Sequence, residues 1–536
     1  MKPNTFLPAA ALLLSLAASA QAKAVPGVFI GTVTIESHNV FNTVDGPEAK
    51  WIYNAANSAH WQTHASVLSR ELLFAAGAAY DPALLAETER NLRRLPFLRR
   101  ADVQAVPNPQ GNMDVVVRTY DAWTLELVAH FKRVGGNTNW KGGLAEHNLA
   151  GQGKTISAVY GSENGSESRS LSYGDPHLFG RKHLAYSLAA VAAPDSRFYA
   201  MSMSRPFYAS IARSALGFTG SYGDERASTF AGTQVVGEVR KQTRELGVSY
   251  GVALGTSTHR TRRATVGLLH HRAEYSAVPG LTAGPIPNAD QLGFLQLGLE
   301  YELQDFVKEQ RVQKMSHDED FNLGLGIFPS LAWAPYLRPM STTEARILPK
   351  ILVRKGFSGG GQLLLVEAGY RSTYVNGNNG NRVASLDALY FLRGLPRQTV
   401  AVHTAYEHGW QLDPASTLGL GESNGLRGYG LSQFTGERRF LFNVEDRVFI
   451  YDNLWRLLDT GAVVFFDSGF VWPGGRTQRV SDLKNSVGFG LRLAASKSAS
   501  NTPVRIDFAR ALSDNRTGSP WTLSVLAGHA FGPGAP

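Results

Sequence analysis

Cysteine is absent from all 536 residues, which excludes a disulfide framework, thiolate metal sites, iron–sulfur clusters and a cysteine nucleophile. Charge is sparse too: Asp, Glu, Lys and Arg make up 18% of the chain, below the share usual in soluble proteins. The excess of 53 Lys and Arg over 44 Asp and Glu is spread along the sequence and forms no basic tail. That spread argues against nucleic acid as a partner and turns the basicity toward anionic lipid. Beyond Ala22 no apolar run reaches the length of a membrane-spanning helix. No period of about 40 residues recurs, as the blades of a propeller would require.

What is present begins with a leader. Lys2 precedes an apolar run from Phe6 to Ala20, and Ala20-Gln21-Ala22 has the small-x-small pattern of a cleavage site. Residues 1–22 are expected to be a secretory signal peptide cut after Ala22. The mature chain then falls into two unlike parts. From Val28 to Arg118 the pattern reads strand, helix, helix, strand, strand. Val33, Ile35 and Val40 mark the first strand, and Val67, Leu68, Leu72, Leu73 and Phe74 share one apolar face. Asp81-Pro82 is a helix start, with Leu84, Leu85, Leu92 and Leu95 at helical spacing and Pro96 as the stop. Val103–Val106 and Val115–Val117 are strands around the turn Asn108–Asn112. Residues 23–121 are expected to form one small α+β domain.

From residue 122 to 536 the helical period gives way to segments of about ten residues that alternate apolar and polar, the pattern of an antiparallel transmembrane β-barrel. Trp123, Leu125, Leu127, Ala129 and Phe131 share a face near the start; Trp521, Leu523, Val525, Ala527 and Phe531 share one at the end. Aromatics bracket both faces, as suits the two membrane interfaces. Polar stretches at Ser276–Gln291, Glu309–Asp320, Gly377–Arg382 and Trp410–Leu431 are read as loops. The same period turns Val464, Phe466, Phe470 and Trp472 outward with Asp467 and Gly469 inward. It also puts Phe442, Val444, Val448 and Ile450 outside and Asn443, Glu445 and Arg447 inside, and leaves Asp446 facing lipid.

Little in this chain points to catalysis. Gly356-Phe357-Ser358-Gly359-Gly360 approaches a nucleophile elbow, but Gln362–Arg371 reads as a strand where an elbow needs a helix, so a hairpin turn is the better account. His317-Asp318-Glu319-Asp320 lacks the spacing of a calcium loop and reads as a solvated loop. His147 and His270-His271 form no spaced ligand set, so neither a metal nor a cofactor is expected.

Several segments carry a resemblance. Glu71-Leu72-Leu73-Phe74, Tyr80-Asp81 and Glu89–Leu98 resemble a POTRA domain. Gly143–Lys154 and Asp175-Pro176-His177-Leu178-Phe179-Gly180 are similar to early barrel segments of the POTRA-plus-barrel superfamily, which includes BamA and TamA assembly factors and two-partner-secretion translocators. Leu426-Arg427-Gly428-Tyr429 resembles the motif at the tip of that family's lumenal loop, and Phe465-Phe466-Asp467-Ser468-Gly469 its partner. The resemblance implies one POTRA-like periplasmic domain and an outer-membrane barrel of 16 strands. It implies a non-catalytic role in inserting or translocating polypeptides, with a dedicated secretion translocator, a passive channel or lipid handling as alternatives. Arg427 is then expected within hydrogen-bonding reach of Asp467, with Glu445 as a second acceptor and Gly428 and Gly469 allowing close approach. The seam would run between the strands Trp123–Phe131 and Trp521–Phe531. Implied partners are the outer membrane and lipopolysaccharide, extended client polypeptide and other envelope assembly factors.

Overall fold

Asp81 lies in extended backbone and its carboxylate accepts from the Ala83 amide at 2.9 Å, while Pro82 fills the first helical position. This cap starts α3 (Pro82–Arg93), preceded by α1 (Lys50–Ala59) and α2 (Ala65–Glu71). Leu85 and Leu92 of α3 pack with Val67 and Leu68 of α2 onto a three-stranded sheet. Its central strand β3 (Met113–Asp121) pairs in parallel with β1 (Ile30–His38) and antiparallel with β2 (Leu98–Pro107). Helix α1 is absent from the sequence reading because its large apolar residues, Trp51, Ile52 and Tyr53, are consecutive and none recurs a turn later.

The computed structural model describes residues 27–41, 50–134, 137–163, 165–231, 234–278, 286, 288–337, 341, 344–413, 416–430, 432–513 and 520–532. The expected signal peptide lies outside them.

Beyond Asp121 the strands form a closed antiparallel barrel of 20, which corrects the expected 16. Alternation assigns each residue a face and carries no count of strands. The first six, between Leu125 and Arg205, are only 9 to 13 residues long and follow one another closely. Side chains such as Leu125, Leu127, Leu246, Val248, Val464 and Phe466 are exposed on the outer face, a surface that suits hydrocarbon. The inner face carries Ser157 against Ser172 and buries Asn443, Glu445, Arg447 and Asp467. Of the residues expected outside on the strands carrying Glu445 and Asp467, one differs. Trp472 keeps its parity but is buried, its indole donating to Asp482 at 2.8 Å. Asp446 lies on the outer face as expected, half-buried, and its Oδ2 accepts from Gln398 at 3.2 Å. Ser358 lies at the end of a strand, and Gly360 and Gly361 turn the chain directly into the next one, a hairpin rather than an elbow.

Among the described residues, the last strand, Trp521–Ala527, closes the barrel on the first, Leu125–Val134, through three residue pairs, whereas the first and second strands share ten. Trp123 precedes the first strand, its amide donating to the Lys497 carbonyl at 2.7 Å.

The junction between domain and barrel holds a buried acid. Asp121 accepts from the Thr63 amide at 2.7 Å, yet burial pushes its carboxyl up from 3.8 to about 6. A folded-state value above the unfolded one means the folded protein binds this proton more tightly. The stability Asp121 contributes is therefore complete below about pH 4 and lost as pH rises through about 6, up to about 3 kcal/mol in all. Among the described residues every α-helix lies in this domain. The helical circular dichroism of the full chain in urea should thus lose midpoint between about pH 4 and 7, and Asp121→Asn should flatten that dependence.

Candidate functional site

The chain between Leu418 and Gly436 turns into the barrel. Leu418–Leu420 pairs with Phe434–Gly436, and Gly425 and Gly428 take positive φ of 111° and 87° to form the tip between them. Leu426 is fully buried against Leu420, Leu441 and Val471. Tyr429 is also fully buried and its hydroxyl donates to the Asn485 carbonyl at 2.8 Å. A side chain at Gly428 would come within 3.0 Å of the Ala511 amide nitrogen, and one at Gly469 within 2.7 Å of the Phe440 carbonyl. Both glycines let backbones approach where no Cβ fits.

This tip delivers Arg427 to the inner wall. Its Nε and Nη2 donate to the two oxygens of Asp467, each at 2.8 Å, a bidentate pair. Nη1 donates to Glu445 at 2.7 Å and to Asp507 at 3.3 Å. The guanidinium carbon lies 3.4 Å from the centre of the Phe465 ring. Asn443 ties acid and loop together, donating to Asp467 and to the Gly425 carbonyl, both at 2.7 Å. Arg427 is 2% exposed, and Glu445 and Asp467 are wholly buried, so each charge depends on its partners rather than on water.

The cluster is larger than the motif. Arg492 donates to Asp507 at 2.6 Å, and Arg505 lies 3.7 Å from the same carboxylate. Sequence reading passed over Asp507, Arg492 and Arg505, although outward Val504, Ile506 and Phe508 would have turned Arg505 and Asp507 inward. Arg447 donates to Glu445 at 2.8 Å, to the Val312 carbonyl at 2.7 Å and to the Phe531 carbonyl at 3.1 Å. Phe531 thus departs from the expected outer face of the seam. The strand ends at Ala527, Gly528 turns the chain at φ 85°, and Phe531 packs inside against His403, Val312 and Phe391. The loop Glu309–Asp320 turns inward, and its end, His317–Asp320, is not the solvated loop expected of it. Glu319 is buried and accepts from the Val312 and Gln313 amides, and Ser316 donates to Asp459 at 2.6 Å.

Helix α3 docks on this inturned segment. Arg93 forms a bidentate pair with Asp320 at 2.7 and 2.9 Å, and Arg90 stacks on Phe306 at 4.2 Å. Glu87 accepts from the amide and hydroxyl of Ser210, and Asn91 donates to the Tyr208 carbonyl. A cavity of about 950 Å³ remains inside, lined by Glu87 and Asn91 at one side and by Arg427 and Phe531 at another. Among the described residues no group of three or more His, Asp or Glu is placed to hold a metal ion.

Breaking one partner of a buried pair leaves the other charge uncompensated, at about 3–5 kcal/mol. Arg427→Ala and Asp467→Ala should each lower the denaturant midpoint of the folded barrel, read by heat-modifiable gel mobility. The double variant should fall well short of the sum, since both single changes break one contact. Arg427→Lys should rescue poorly, because an ammonium cannot span both Asp467 oxygens. Additive losses would show that the two side chains act apart.

No family model matches the sequence, and no curated protein does. Among solved structures the chain is similar to CdiB from Acinetobacter baumannii, at 13% identity and a TM-score of 0.48, covering 94% of this chain and 74% of that one. It is also similar to BamA from Haemophilus ducreyi lacking POTRA domains 1–3, at 11% identity and a TM-score of 0.38, covering 93% and 85%. A third likeness is to BauA, the ferric preacinetobactin receptor of Acinetobacter baumannii, at 9% identity and a TM-score of 0.38, covering 81% and 86%.

Proposed function

We propose that this chain is an outer-membrane protein that assists the insertion or translocation of polypeptides and performs no covalent chemistry on them. The observation that carries this reading is the uneven strength of the barrel. Its interior is bound by the Arg427 cluster, while its first and last strands meet through three residue pairs among the described residues. A wall of this kind parts at the seam first, and a strand edge released there pairs with another strand. The N-terminal domain, POTRA-like in this reading, faces the periplasm and offers a second edge. Strand β1 is bonded to β3 on one side, and from Val33 to Glu36 its other side has no backbone partner among the described residues. An extended client adds to that edge through main-chain hydrogen bonds.

A photo-crosslinker replacing Thr34, which is exposed on β1, tests the reading in cells. Adducts with newly exported envelope proteins are expected from Thr34 and not from Gln110 in the turn between β2 and β3. Equal yields at both positions would remove the edge from the mechanism.

The docking of α3 on the inturned segment favours one alternative form of the same role, a translocator whose lumen conducts only after α3 leaves. Arg93→Ala with Asp320→Ala removes the bidentate pair that holds α3 to the inturned segment. In planar bilayers the double variant should raise single-channel conductance above the parent. Unchanged conductance would assign the passage to the seam instead.

A further inference from the structure

Two prolines interrupt the barrel wall far from the seam. Pro329 lies in the strand Gly326–Ala334 and Pro349 in its neighbour Arg346–Gly359. Proline has no N–H for the ladder, and within sheets it is confined to edges and bulges. Here both stand inside a closed barrel. The strand Asp290–Leu303 pairs with Gly326–Ala334 at Gly298↔Ser330 and again at Tyr301↔Ile327, with the Leu299–Pro329 and Glu300–Phe328 positions between them unpaired. On the far side, Arg346–Gly359 pairs with Gln362–Val375 at Ile347↔Tyr374 and again at Lys350↔Arg371, skipping Leu348 and Pro349. The ladder between the two proline-bearing strands is continuous, while both outer ladders are broken and neither register slips.

Cavities lie on both sides of this weakened hairpin. Outside is an apolar groove of about 590 Å³ that includes Val266, Leu299, Pro329, Leu331 and Ile351. Inside is a chamber of about 900 Å³ whose described lining includes Lys350, Arg371 and several hydroxyls and no carboxylate. Thr265, Gly298, Ser330, Leu331, Pro349 and Lys350 border both, so one thin stretch of wall separates them. Lys350 and Arg371 stand directly opposite each other across their ladder, and neither has an ion-pair or side-chain hydrogen-bond partner among the described residues. Like charges at that separation repel, and an anion between them would reverse the sign.

We propose that this break in the wall holds one molecule of lipopolysaccharide, with an acyl chain in the outer groove and a phosphate between Lys350 and Arg371. An apolar tail site and a cationic head site that share their lining fit one amphipathic anion. The chamber also borders Asn381 and Thr417, at the end of the barrel away from α3. That end meets the outer leaflet only in the orientation proposed above, so the choice of lipid rests on that orientation.

The test uses the full-length protein, stripped of lipid in detergent, with bisphosphorylated lipid A added and its retention read by native mass spectrometry. One lipid per barrel is expected. Lys350→Gln with Arg371→Gln should weaken retention by at least about tenfold, the loss of one charge-assisted contact. Dephosphorylated lipid A should lose a similar factor on the parent protein. Pro329→Ala with Pro349→Ala restores ladder donors and should also weaken retention by narrowing the breach. The charge variant relieves a repulsion, so its lipid-free melting temperature should hold or rise, which separates lost binding from lost fold. Equal retention by the charge variant or of the dephosphorylated lipid overturns the site. Retention indifferent to the prolines overturns its passage through the wall. Phosphatidylglycerol held in preference, with the charge dependence intact, overturns the lipid source and the orientation together, while the client-crosslinking result stands separately.

Discussion

The charge of Arg427, taken out of water, is the constraint on which the rest of the barrel interior depends. A guanidinium at 2% exposure is tolerable only if carboxylates surround it, and those carboxylates are equally dry. Asp467, Glu445 and Asp507 come from three different strands, so satisfying one side chain fixes the spacing of that part of the wall. The loop tip that carries Arg427 is held at the same time by Asn443, Glu422 and the Asn485 carbonyl. Each bond is ordinary. Their convergence on one cation makes the loop and wall a single unit.

Arg447 extends that unit. By sharing Glu445 with Arg427 and donating to two carbonyls, it ties in the inturned segment at Val312 and the C-terminal tail at Phe531. The inturned segment in turn receives α3 through Asp320. A continuous chain of polar contacts therefore runs from the N-terminal domain to the tail that follows the last strand. Against this dense interior stand two weak places in the wall, the three-pair seam and the hairpin flanked by Pro329 and Pro349. Among the described residues, dense polar contact inside the barrel is thus set against interrupted pairing at these two stretches of wall.

Much of the candidate site was legible because a strand has a period of two. Alternating Val464, Phe466, Asp467 and Gly469 decide their faces without reference to any other strand, and so do Phe442 through Arg447. The cap at Asp81 was equally local, since carboxylate, proline and amide lie within three residues. Phe531 was misplaced for the converse reason. Alternation extends a strand for as long as the pattern continues, but Gly528 ended it, and an interior acceptor for the Arg447 guanidinium lay in the tail.

The sequence by itself thus determined the local matters: two unlike parts, the capped helix, the faces of the strands and the inward direction of Asp467 and Glu445. Each follows from propensity or periodicity over a few neighbouring residues. The tertiary structure decided the count of 20 strands, the joining of Asp507, Arg492 and Arg505 to the Arg427 cluster, the folding-in of Glu309–Asp320 and the docking of α3. All of these depend on barrel closure, which brings together residues such as Arg93 and Asp320, 227 positions apart. No local pattern encodes such a meeting, because the free energy that selects it arises only when both charges leave water at the same place.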